Sequence, residues 1–130
     1  MNLSGYSRRF GEGPEAGPPG KLIERTKTYL QEAQLKDKFV YFDEADMVVY
    51  VTTAFGVFVV SIDETQRYGG QLTPWQDISG CSLKITTTPA SARVVTVTIE
   101  SLDATLTEAV GEAAAPLLGF LRECLKRSRP

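Results

Sequence analysis

The sequence predicts an α+β fold that is mainly β: a seven-stranded antiparallel bent sheet or partial barrel capped by a C-terminal amphipathic helix, with an additional N-terminal helix. Three observations carry that expectation. Apolar residues recur at three-and-four spacing near both ends of the chain, runs of β-branched and aromatic residues with period two fill the stretch between, and the connections between those runs are short.

Residues 1–20 hold five Gly and three Pro, and Arg8 and Arg9 are offset by Glu12 and Glu15. Such a composition buries too little apolar area to offset the entropy of ordering it, so the segment reads as a flexible arm whose aromatics Tyr6 and Phe10 are stray, with a short docking motif as the alternative. From Lys21 the pattern changes. Leu22, Ile23, Thr26, Leu30 and Ala33 fall on one stripe of a helix of about fifteen residues. A helix this short is marginal by itself in water, so the stripe must lie on something larger.

Strand-like runs follow at Lys38 to Asp43, Met47 to Thr53 and Gly56 to Ile62, broken by Asp43-Glu44-Ala45-Asp46 and by Ala54-Phe55-Gly56. Thr65 to Gly70 reads as a polar loop hinged at Gly69-Gly70, and Gln71 to Trp75 as a short strand interrupted by Pro74. Ile78 to Thr87 alternates, with Cys81, Leu83 and Ile85 on a dry side and Ser82, Lys84 and Thr86 on a wet one. Arg93 to Glu100 repeats the device with Val95, Val97 and Ile99, and Thr105 to Val110 is the last strand. Leu117, Phe120, Leu121, Cys124 and Leu125 then form the stripe of a helix starting near Glu112. Pro116 falls near its first turn, where a missing N–H costs little. The organisation expected is an arm over 1–20, a domain over 21–127 and a basic tail over 128–130.

Length and a 42% apolar composition fit one packed core, and 14 basic against 16 acidic residues give no general attraction to nucleic acid. No apolar run approaches the ~20 residues that cross a bilayer, and the N-terminus lacks an apolar signal core, so a cytoplasmic location is expected. Cys81 and Cys124 stand in no metal-ligand spacing and read as reduced core residues.

The chain contains no His, which removes the Ser-His-Asp and Cys-His arrangements of nucleophilic catalysis. Phosphate-loop and dinucleotide fingerprints are absent too. Asp43, Glu44 and Asp46 cluster, but without the spacing of a calcium loop, and read as a solvated hairpin tip. The expectation is a protein without catalytic residues, metal or cofactor.

Val49-Tyr50-Val51-Thr52-Thr53, Gly56-Val57-Phe58-Val59-Val60 and Trp75-Gln76-Asp77-Ile78-Ser79-Gly80-Cys81 together resemble a passage of GRAM-like and other divergent pleckstrin-homology-like domains. Strands followed by one closing amphipathic helix resemble the pleckstrin-homology superfold in architecture. The helix before the first strand also resembles that of the leucine-rich-repeat proteins that regulate actin capping protein. A profilin- or longin-like sheet between helices uses the same pair of end helices and stays open.

The resemblance implies a non-catalytic binding or adaptor module. Phosphoinositide-binding members of the superfold carry Lys and Arg around the first hairpin, where this chain has Asp43, Glu44 and Asp46 against Lys36 and Lys38. Recognition of a protein or peptide partner is therefore the first expectation, through a sheet edge or strand–helix groove marked by Gln71, Leu72, Trp75 and Asp77, with self-association through the same edge as a variant. The alternative is weak peripheral membrane binding through Arg122, Lys126, Arg127 and Arg129.

Overall fold

A computed structural model describes Leu3, Gly5, Tyr6 and residues 17–127. The chain falls into two compact units, Met1–Thr73 and Pro74–Pro130. Helix α1 (Pro18–Glu32) and strands β1 (Val40–Asp43), β2 (Val48–Thr52), β3 (Gly56–Ile62) and β4 (Tyr68–Pro74) come first, with only Pro74 of these in the second unit. Strands β5 (Cys81–Thr87), β6 (Arg93–Ile99) and β7 (Ala104–Ala109) and helix α2 (Ala115–Arg127) follow. The architecture is α+β as expected. Its seven antiparallel strands are divided between two sheets, ordered β1-β2-β3-β4 and β5-β6-β7, with no closed barrel among the described residues. Pro74, without an N–H, and the 3₁₀ turn Trp75–Asp77 interrupt the chain between β4 and β5.

Helix α1 begins earlier than its apolar stripe, because Pro18 and Pro19 occupy the first turn, where a fixed φ favours the helix and no hydrogen bond is lost. It ends in a Schellman motif. The Leu35 amide donates to the Leu30 carbonyl at 2.9 Å and the Gln34 amide to the Gln31 carbonyl at 3.1 Å, with Gln34 left-handed at φ 58°. Leu35, just past the turn, packs on the core. The Thr26 hydroxyl satisfies itself on the Leu22 carbonyl, which lets a polar residue sit in the buried stripe.

Cross-strand register places Val40, Phe42, Val49, Val51, Phe58 and Val60 on one sheet face, where they form a core with Leu22, Ile23 and Leu30 of α1. Leu3 and Tyr6 complete this core, both 4% exposed. The expected flexible arm is corrected at these two positions. The Tyr6 ring meets Phe42 edge-on at 5.9 Å, and its hydroxyl accepts the Phe42 amide at 3.2 Å. The arm expectation also gives way at Pro18, Pro19 and Gly20, which form the first turn of α1, whereas residues 1, 2, 4 and 7–16, Phe10 among them, lie outside the described residues. Asp63 closes the β3–β4 turn by accepting from the Thr65 amide, the Thr65 hydroxyl and the Arg67 amide. The Arg67 bond first, then the Thr65 hydroxyl, hold its carboxyl below the ordinary carboxylate value.

In the second unit, β6 is the central strand, and Cys81, Leu83 and Ile85 pair with Ile99, Val97 and Val95 on one face. Val97 and Val95 in turn pair with Leu106 and Glu108 of β7. Val95, Val97, Ile99, Ala104 and Leu106 are buried, as are Leu117, Phe120, Leu121 and Cys124 of α2, which contacts β5. Two expectations need correction. Leu83 and Ile85, read as part of a dry side, are 44% and 58% exposed, and Leu125 stands 53% exposed off the helix stripe. Alternation fixes which residues share a face, but whether anything covers that face depends on distant segments.

Candidate functional site

Strand β4 is the last strand of its sheet, and an edge strand presents backbone groups that no neighbour has paired. Its sequence strips that edge of side chains at Gly69 and Gly70. On the helix side, a Cβ at Gly70 would meet the Phe58 ring at 2.8 Å and Tyr29 at 3.0 Å, so the strand can run this close to them only as glycine. At Gly69 the opposite holds: a Cβ there would meet nothing within 4 Å. The bare backbone leaves a hollow on each side of β4, one of about 360 Å³ lined by Tyr29, Glu32, Ala33, Phe58 and Gly70, the other of about 280 Å³ lined by Val59, Ser61, Gly69, Gly70 and Gln71.

Of the four residues singled out for partner binding, Gln71 is exposed beside the second hollow, and Leu72 packs on the core of the first unit. Trp75 and Asp77 belong to the 3₁₀ turn of the second unit. Trp75 is half-buried, with the Arg127 guanidinium 5.7 Å from its ring centre, and Asp77 is exposed. The structure thus keeps Gln71 as an edge residue and gives Leu72 a packing role.

The basic residues of α2 are differently employed. Arg127 donates from Nε to Glu123 Oε1 at 2.6 Å, and Arg122 donates from Nε to the Leu118 carbonyl at 3.4 Å. Lys126 is exposed, and Arg129 lies outside the described residues. In the acidic turn, Asp43 accepts the Asp46 amide at 3.3 Å. Among the described residues no three acids, cysteines or histidines stand close enough to hold a metal ion, and no helix is long and apolar enough to cross a membrane. Burial first, then electrostatic repulsion from Cys81 once it ionises and from Glu123, push the Cys124 thiol up to about 12, so it stays protonated and inert at neutral pH.

Sequence reasoning missed two features. A polar hollow of about 370 Å³ is lined by Lys21, Glu24, Arg25, Thr28 and Tyr68, with Arg25 stacked 4.8 Å over the Tyr68 ring. Residues at three-and-four spacing on the outward side of α1 carried half of that signal, but Tyr68 comes from another element. The second is β5, where six of seven residues are exposed, Leu83 and Ile85 included. Lys84 in the middle of the strand is the available clue, since charge on an edge strand suppresses indiscriminate pairing. Compared with protein-family profiles, curated proteins and solved structures, the chain matches none.

Proposed function

We propose that the protein is a non-catalytic binding module that takes an extended segment of another protein as an added strand on β4. The observation that carries this reading is the glycine pair on an edge strand: one side of β4 has no neighbouring strand, and the hollows on either side of Gly69 and Gly70 accept alternate side chains of an incoming strand. A pleckstrin-homology-like ancestry is part of this proposal, in keeping with an element order of four strands, three strands and a C-terminal helix. Free Cys81 and Cys124 accord with a reducing, intracellular setting. The engagement of Arg127 by Glu123 and Trp75 favours a peptide partner over the membrane alternative, because it occupies one of the tail's cations.

Gly69 supplies the test. A leucine there has room in the folded chain and fills the hollow beside Gln71. Displayed random peptides selected on the full chain should contain a set whose binding is lost in Gly69→Leu and kept in Thr105→Ala, a change on the exposed face of β7. Selected peptides that all ignore Gly69→Leu, or no selected peptides at all, would overturn the reading.

A further inference from the structure

Strand β5 is a second edge, with different chemistry from β4. It pairs with β6 on one side and ends its sheet on the other. Its inward-facing Leu83 and Ile85 extend the apolar face of Val97 and Val95 past the last strand, 44% and 58% exposed. One more strand laid along β5 would cover them and satisfy its outer backbone groups.

The opposite face of this sheet is composed of Ser82, Thr98 and Thr105, then Lys84, Thr96 and Thr107, then Thr86, Val94 and Ala109, each set a cross-strand row. Lys84 is the only charge in these rows, it is exposed, and no carboxylate among the described residues pairs with it. A strand added to β5 sets three successive residues opposite Leu83, Lys84 and Ile85. The first and third fall on the apolar face and the middle one beside the ammonium group.

We infer that β5 is a docking edge for an extended peptide of another protein with the pattern apolar–acidic–apolar. Pairing with a second copy of this chain fits less well. The antiparallel register that seats Leu83 against Ile85 of the other copy, and Ile85 against its Leu83, sets Lys84 directly opposite Lys84, and like charges in that position repel. A carboxylate in the middle position removes the repulsion and adds an ion pair. This site is separate from β4 and stands or falls independently of it.

The test uses the full chain and short blocked peptides with Leu-Glu-Leu, Leu-Lys-Leu or Ser-Glu-Ser at the centre, read by fluorescence polarisation. Leu-Glu-Leu should bind tightest, with Leu-Lys-Leu about threefold weaker at low salt and the gap closing as salt rises. Ser-Glu-Ser should be at least about tenfold weaker. Lys84→Glu should invert the preference between glutamate and lysine, and Ile85→Ser should weaken Leu-Glu-Leu about tenfold. Both positions are exposed, so the variants are expected to keep the far-ultraviolet circular dichroism of the parent. Gly69→Leu should leave this binding unchanged. Equal binding of the glutamate and lysine peptides, or indifference to Ile85→Ser, overturns the inference. So does a dimer by light scattering that Ile85→Ser dissolves.

Discussion

Strands β5 and β7 flank the same central strand and carry the same alternation, yet they meet opposite fates. On β7, Ala104 and Leu106 are 3% and 1% exposed; on β5, Leu83 and Ile85 stand 44% and 58% exposed. Both sets face the same way as Val95, Val97 and Ile99 of β6, with Leu83 and Leu106 opposite Val97, Ile85 opposite Val95 and Ala104 opposite Ile99. The period of a strand therefore reports only the direction a side chain takes. Cover has to come from another element, and Leu83 and Ile85 at one edge of the sheet have been left largely without it.

The sharpest way to break this contrast is to truncate both edges equally. Leu106→Ala should cost about 2–5 kcal/mol in urea unfolding, because it leaves a void in a filled space. Leu83→Ala should cost under about 1 kcal/mol, since little packing is lost. Equal losses would mean that β5 is covered in solution.

The two cysteines extend the comparison to chemistry. Half-buried Cys81 on β5 should react with iodoacetamide in the folded protein well ahead of buried Cys124 on α2. The raised value of Cys124 also gives a sign for pH dependence. The unfolded chain releases this proton near 9.0 and the folded one near 12, so the folded form binds more protons in between and stability falls as pH rises through that window. Cys124→Ala should flatten that part of the profile, measured by denaturant midpoints at successive pH values.

Tyr6 gives a third, smaller effect in the same spirit, because it is a cover supplied by a segment of unpromising composition. Tyr6→Phe removes an acceptor of the buried Phe42 amide and should cost about 1–3 kcal/mol. A neutral result would return the arm to the status its glycines and prolines suggest. Smallest, and opposite in sign, is Gln34→Gly at the end of α1, which should stabilise the protein by about 1 kcal/mol, because glycine takes a φ of 58° without steric cost.

These cases show what the sequence made legible. The stripes Leu22-Ile23-Thr26-Leu30 and Leu117-Phe120-Leu121-Cys124 and the alternation of β6 announced themselves, because each is a local pattern that one element buries as a unit. Leu3 and Tyr6 did not, since sparse side chains in a Gly/Pro-rich stretch signal no period. The end of α1 was hidden for a related reason: Gln34 fills a position where glycine is the usual marker. At the candidate edge, Gln71 was legible from its place beside Pro74. Gly69 and Gly70 read as a hinge, however, and only the nearness of Phe58 and Tyr29 makes them strand residues with a purpose.

The chain has one tryptophan, and Arg127 in the last turn of α2 lies over its ring. That pairing gives the protein a built-in optical probe. Unwinding of the final helical turn withdraws the guanidinium and wets the indole, so emission should shift to longer wavelength before the remainder of the molecule melts. Fraying at the carboxyl end can thus be timed in a cuvette, label-free.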